Sequence, residues 1–224
     1  MTLQIELISV DKVYQSDGLP VKALSEINLK IEKGEFAVLA GPSGSGKSTL
    51  LHMIGALDQP TSGKVFVGGV DLATISRKQQ AEFRLRRIGF VFQSYNLIPV
   101  LTARENVEYP LLLQGIGNEE RKKRRDEFLK RVGLGDHLNK KPGEMSGGQQ
   151  QRVAVARALA SKPDIILADE PTANLDSRTG ASLVDLFKEL NEEYKTTFVF
   201  ASHDPMVIER ARRVVRLLDG RVFS

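Results

Sequence analysis

The chain has 224 residues, with 32 Lys and Arg against 28 Asp and Glu for a net charge of +4. At this length folding buries roughly 70% of the extended surface, and 41% hydrophobic residues with only 9 Pro exclude a disordered chain. The absence of cysteine excludes disulfides, thiolate catalysis and Cys-held metals, and the small basic excess predicts a solvated surface with no nucleic-acid partner.

In chain order, Ile27, Leu29 and Ile31 alternate with polar residues, the period of a half-buried strand. Residues 35–40 form a short apolar run that enters a glycine-rich loop, and 47–57 read as the helix that follows it. The longest apolar run, 36–42, is far short of the roughly 18 residues of a membrane span. The first residues, MTLQIELISVDK, lack the apolar stretch of a signal peptide, so a cytoplasmic protein is expected. Residues 63–69 read as one arm of an antiparallel hairpin, 76–87 as an exposed helix and 88–92 as a buried strand.

From about 95 to 145 the strand signal disappears. Thr102 and Glu105 stand as a capping box, opening a helix expected to reach about Gln114. Residues 118–132 form a second helix whose apolar patch is Phe128, Leu129 and Val132. A third helix, 149–160, leads to a strand at 164–169, a helix at 177–194 and a strand at 196–201. Val214 to Leu218, the Asp219-Gly220 turn and Val222 read as a closing hairpin. Strands alternating with helices predict an α/β fold with a largely parallel sheet. The division expected is one domain, with an α/β core at 1–94 and 146–224 and a helical lobe at about 95–145.

Gly41-Pro42-Ser43-Gly44-Ser45-Gly46-Lys47-Ser48 matches the phosphate-loop pattern without a mismatch, followed by Thr49. Its glycines let backbone N–H groups turn inward around phosphate oxygens, at the positive end of the next helix. Lys47 can reach the β- and γ-phosphates, and the Ser48 hydroxyl can ligate Mg²⁺. The run Ile165-Ile166-Leu167-Ala168-Asp169 delivers a carboxylate to the C-terminal edge of a strand, where parallel sheets bind ligands. Asp169 is expected in the Mg²⁺ shell, and Glu170 is placed to orient or deprotonate an attacking water.

At Met145 the pattern narrows. The run MSGGQQQRVAVARAL resembles the signature segment of the ABC ATPases, with Met145 where Leu is usual. The order of phosphate loop, Gln93, signature, Asp169-Glu170, Ala173-Asn174-Leu175-Asp176 and His203 is also that of the family. The resemblance implies a P-loop NTPase core of RecA-like type, an antiparallel β subdomain and an inserted helical subdomain. It further implies that ATP and Mg²⁺ are bound and that two ATPs are sandwiched in a head-to-tail homodimer. Tyr14 would stack on adenine, Gln93 would contact Mg²⁺ and the attacking water, and Glu170 would be the catalytic base. His203 would touch the γ-phosphate, and Asp176 would lie across the dimer seam. Ser146, Gly147, Gly148 and Gln149 would complete the partner protomer's site.

The stretches IGFVFQSYNLIPVLTARENVEYPL, ADEPTANLD and SHDPMV resemble the lipoprotein-releasing and macrolide-exporter (LolD/MacB) branch, close to the cell-division ATPase FtsE. That branch implies an integral-membrane permease partner with a large extracytoplasmic domain, and an ATPase peripheral on the inner face of the membrane. An FtsE-like role, signalling to a membrane partner that does not transport, is the alternative. A soluble ABC ATPase acting on DNA or the ribosome would need tandem units or a long coiled-coil insertion, for which 224 residues leave no room. A GTPase would carry N-K-x-D, and Asn139-Lys140-Lys141-Pro142 lacks the Asp. The basic run from Arg121 to Arg125 reads as solvated surface, and His52 and His137 as packing or surface residues. Ile98, Val100 and Leu101 either line a groove for a permease helix or pack the helical lobe.

Overall fold

A computed structural model of the chain describes residues 2–16 and 19–223. Two long strands, β1 (Leu3–Ser16) and β2 (Leu19–Glu32), pair antiparallel. With β4 (Ser62–Val67) and β5 (Val70–Asp71) they make one sheet in the order β2-β1-β4-β5. The second sheet contains β3 (Phe36–Ala40), β6 (Ile88–Phe92), β7 (Ile165–Asp169), β8 (Thr197–Ser202), β9 (Arg213–Leu218) and β10 (Arg221–Phe223). Its order is β10-β9-β3-β8-β7-β6, parallel throughout except for the β9–β10 hairpin.

The expected strands are present, but β1 and the first half of β2 have no counterpart among them. Their register shifts repeatedly, between Leu7 and Val10 and again on either side of Lys12, and Ser9 and Glu26 sit at φ 47° and 51°. Each bulge inserts an unpaired residue and flips the alternation that reveals a strand in sequence.

Successive residues of the central strands go to opposite faces, and each face has its own core. Phe36, Val38, Ala40, Ile166, Ala168, Phe198 and Phe200 face one apolar cluster with α5 (Gly147–Ala160) and α6 (Ser177–Tyr194). Ala37, Leu39, Ile165, Leu167, Val199 and Ala201 face another, filled by α1 (Lys47–Ile54) and the inner face of the antiparallel sheet. A sheet covered on both sides needs apolar residues at every position, which is why β3, β7 and β8 read as unbroken apolar runs. Phe36, Phe187, Phe198 and Phe200 interlock, with Phe36 and Phe200 ring centroids 4.7 Å apart.

Between the sheet strands β6 and β7 lie α3 (Ala103–Leu113), α4 (Asn118–Arg131) and α5, which pack on one another through Val107, Leu111, Phe128, Leu129 and Val153. The Thr102–Glu105 capping box forms as expected, and Gln114 is the C-cap of α3. Helix α2 (Arg77–Arg87) begins on a second box, Ser76 with Gln79. A short helix, α7 (Pro205–Glu209), capped by Asp204, was not foreseen; five residues are too few to show a period. Helix α1 ends three residues before expectation, because Gly55 closes it and Ala56 turns at φ 53°.

Candidate functional site

The phosphate loop runs from the end of β3 to the start of α1, as strand and helix demand. Gly46, the N-cap of α1, has φ 100°, and a Cβ there would meet Ala23 O and Leu24 Cδ2 at 2.7 Å. Only glycine fits, for both conformational and steric reasons. No side chain caps the first turn of α1, so its leading N–H groups are offered to whatever enters the loop. Lys47, 5% exposed, donates to Gly41 O (2.7 Å) and Pro42 O (2.9 Å) and keeps its ammonium 3.9 Å from Glu170 Oε1. A cleft of about 500 Å³ is lined by Ser43, Gly44, Gly46, Lys47, Ser48 and Thr49 with Gln93, Glu170 and His203. Parts of the chain from Ser43 to His203 thus meet at one place.

Behind the loop, Ser48 Oγ donates to Asp169 Oδ1 at 2.9 Å, and burial raises the Asp169 pKa. Glu170 leaves β7 in the left-handed region at φ 44°, a strained position for a non-glycine residue. Its carboxylate is held from two sides: Ser202 Oγ donates to Oε2 at 3.2 Å and His203 Nδ1 lies 2.7 Å from Oε1. A carboxylate accepts only, so His203 carries a proton on Nδ1 and its Nε2 is the free polar atom. Ser202 was not among the expected site residues, although it ends β8 as Asp169 ends β7, and that strand-end position was its only sequence signal.

The residues fit the ligands the motifs imply. The uncapped first turn of α1 and the Lys47 ammonium open onto the cleft and suit phosphate oxygens, whereas the buried, unpartnered Ser45 Oγ is not part of its lining. Ser48 and Asp169 present two hard oxygens together, the sparse protein contribution that Mg²⁺ accepts when phosphates and waters complete its octahedron. Among the described residues no three His, Asp or Glu side chains converge on one point, so the protein's share of a metal shell here would be small.

Three expected site elements are not in the lining of this cleft, although Tyr14 borders it, paired with Val21, which lines it together with Lys22 and Ala23. Tyr14, in β1 and 38% exposed, donates its hydroxyl to Asp58 Oδ2 at 2.6 Å, and Lys12 Nζ stands 4.7 Å from the ring centroid. Partial burial and the Asp58 carboxylate push the Tyr14 pKa up to about 12. Asp176 caps α6, accepting from Arg178 N (3.1 Å) and Thr179 N (3.0 Å), an N-cap that a reading for ligand residues passes over. The signature segment opens α5, with a correction: Gly147 and Gly148 are its first two helical residues rather than a loop before it. Ser146 and Gln149 form a capping box, with Gln149 N donating to Ser146 Oγ and Ser146 N to Gln149 Oε1. The segment also abuts the Gln93 loop, since a Cβ on Gly147 would stand 2.7 Å from the Tyr95 hydroxyl.

Ile98, Val100 and Leu101, open to a reading as a permease groove or as packing of the helical lobe, lie in a turn that Asn106 ties down, accepting from Ile98 N and donating to Ile98 O, Leu101 O and Thr102 O, while Val100 is 71% exposed. A separate open apolar groove of about 390 Å³ runs between Leu57, Leu85, Phe90, Tyr109, Pro110 and Leu113. Among the described residues no helix is long and apolar enough to cross a membrane.

Comparison with known proteins agrees with this arrangement. A model of the ABC transporter family matches residues 24–173. The chain is 44% identical to the lipoprotein-releasing system ATP-binding protein LolD of Legionella pneumophila, over 97% of each chain. It is 46% identical, over 96% of its length, to the macrolide export ATP-binding/permease protein MacB of Syntrophobacter fumaroxidans, of which it spans 30%. Among solved structures, the dimeric post-hydrolysis state of the Methanocaldococcus jannaschii cassette MJ0796 with ADP and Pi superposes at TM-score 0.91. That cassette is 47% identical, with 98% of this chain and 97% of that one covered.

Proposed function

The chain belongs to the ABC transporter ATP-binding family and is an ATPase; on that premise we propose that it drives an exporter or lipoprotein-release permease from the cytoplasmic face of the membrane. The observation that carries the chemistry is the Glu170 carboxylate, set in the wall of the phosphate-loop cleft and oriented by Ser202 and His203.

ATP would supply the γ-phosphoryl group; Ser48, Asp169 and Gln93 would hold Mg²⁺, which would supply positive charge to offset that of the phosphate oxygens. The N–H groups of Gly41, Ser43, Gly44, Ser45 and Gly46 and those of the first turn of α1 up to Thr49 surround the anion. Pro42, which has no N–H, stiffens the turn. Lys47 adds a point charge. Glu170 accepts a proton from the attacking water while Ser202 and His203 hold its carboxylate in place. His203 Nε2 faces the γ-phosphate, and Tyr14 offers a ring face to adenine.

The signature residues Ser146, Gly147, Gly148 and Gln149 act on the ATP of a second copy, with Asp176 at the seam. Support comes from similar proteins, one a dimeric cassette and two belonging to release or permease systems. The helical stretch at 95–145 forms the lobe that carries the signature, and the groove beside Tyr109 and Pro110 receives the permease, whose extracytoplasmic domain selects cargo.

Glu170→Gln, tagged and purified from detergent-solubilised membranes with ATP, tests the whole reading. Recovery of a stoichiometric permease with a large extracytoplasmic domain is expected. Recovery of ribosomes or nucleic acid alone would overturn it, and a membrane partner with no transport activity would establish the signalling alternative instead.

A further inference from the structure

Gln93 sits in a turn that its own backbone does not make comfortable. Tyr95 and Asn96 are consecutive non-glycine residues in the left-handed region, at φ 61° and 46°. Such a pair is strained and persists only where surrounding groups over-determine it. The local hydrogen bonds, Tyr95 N to Phe92 O and Asn96 N to Ser94 O, close the turn without using the carbonyls of Gln93, Tyr95 and Asn96.

Side chains from elsewhere take those carbonyls. Arg157 donates from both ends of its guanidinium, to Tyr95 O at 3.0 Å and to Asn96 O. Gln151, completely buried, donates to Phe92 O at 3.3 Å and to Pro171 O at 2.8 Å, the residue after Glu170. Asn174 donates to Gln93 O at 3.0 Å. Arg157 has no acidic partner among the described residues, and burial lowers its pKa to about 10. Arg157 is half-buried at the wall of the open apolar groove, and its partners there are two backbone carbonyls of one turn. Both Arg157 and Gln151 belong to α5, the helix that begins at Ser146.

We propose that Arg157 and Gln151 are positioning residues for Gln93: from α5 they clamp the 92–96 turn, so that Gln93 and the signature N-terminus of α5 keep one fixed relation. The inference rests on the role proposed for Gln93. Guanidinium geometry matters to it, because a rigid planar fork fixes the directions of the two donors toward the two carbonyls, whereas an ammonium on a flexible stem is a compact charge that does not fix them. Gln151 adds the link to the Glu170 side of the cleft through Pro171 O.

The test uses the full chain in two steps. Hydrogen exchange of the nucleotide-free protein is followed first, in wild type, Arg157→Lys, Arg157→Met and Gln151→Met. Exchange of the amides at 92–97 is expected to accelerate about tenfold in Arg157→Met and less in Arg157→Lys, while the central strands keep their protection. ATP turnover is then measured in the same variants, alone and combined with Gln93→Ala. In Arg157→Met kcat is expected to fall by about tenfold to a hundredfold, the scale of an ångström of misplacement, with KM for ATP within about twofold. Arg157→Lys should recover part of the loss. In the Gln93→Ala background the same substitutions should add less than about twofold, since residues acting as one unit are not additive.

Unchanged exchange at 92–97 in Arg157→Met overturns the clamp. Losses that multiply fully with Gln93→Ala overturn the positioning role, because a general loss of folded protein would behave that way. A Gln93→Ala protein with wild-type turnover overturns the role of Gln93 and, with it, this inference. A slowed Gln93→Ala beside unaffected Arg157 and Gln151 variants overturns the inference alone.

Discussion

Two helices of this protein begin on glycine-rich turns, and they begin differently. Helix α1 starts at Gly46 with no side-chain cap, backed by Lys47, Ser48 and two carboxylates from β7. Helix α5 starts at Ser146 with a closed reciprocal box to Gln149, which uses the N–H groups of Ser146 and Gln149. The first is an open set of donors with catalytic groups around it. The second is a self-satisfied helix end that spares only the N–H groups of Gly147 and Gly148 and has no carboxylate base of its own. A helix N-terminus is therefore not by itself a site: α1 can do chemistry within one chain, whereas α5 can add only a few donors to a phosphate bound elsewhere.

The largest expected effect falls on the groups that α1 has and α5 lacks. Glu170→Gln should lower ATP turnover by about 10²–10⁴-fold while ATP still binds, because proton acceptance by a placed carboxylate has that value; phosphate release and equilibrium nucleotide binding measure the two separately. Lys47→Ala comes next, with ATP affinity reduced by about 1.5–3 kcal/mol, or roughly 10- to 150-fold, the worth of charge-assisted hydrogen bonds, read by titration calorimetry. At α5 the effect is smaller and separates into two parts. Ser146→Ala should cost about 1 kcal/mol of stability in denaturant unfolding through the lost cap. Ser146→Asp keeps a good cap and so most of that stability, yet its charge should abolish ATP-dependent dimerisation, seen by size-exclusion chromatography in the Glu170→Gln background. Dimerisation that survives Ser146→Asp would mean that the α5 end never meets a phosphate. The smallest effect is at a box far from any ligand: Thr102→Ala should cost about 0.5–1 kcal/mol of stability and leave ATP affinity unaltered.

How much of this was legible follows from the range over which each signal acts. The phosphate loop, Asp169, Glu170 and the run from Ser146 are contiguous, so their chemistry could be read directly. The expected helix at 177–194 coincides with α6, which in the structure is capped by Asp176 and closed by Lys195 in the left-handed region at φ 54°. Strand β1 was invisible because its bulges scramble the alternation. The Ser146–Gln149 box follows an S-x-x-Q pattern that was in plain view, but the glycines between drew the reading toward a loop. Gln151, Arg157 and Asn174 stand inside recognisable motifs, but their contacts, like that of Ser202, are with a carboxylate or carbonyl far away in the chain and have no local signal.

Local sequence by itself determined the α/β class, the phosphate loop with its lysine and serine, the strand-end carboxylates and the family resemblance, since each depends on residues within one turn or strand of each other. Tertiary structure alone decided that Gln93, Glu170 and His203 line one cleft with that loop, that Ser202 and His203 aim Glu170, and that α5 ties down the turn beside Gln93. The reason is the parallel order β3-β8-β7-β6, which aligns the C-terminal ends of strands far apart in the chain along one edge of the sheet. Residues that meet there share no periodicity, and only the packing of the sheet between its two apolar cores brings them within hydrogen-bond reach.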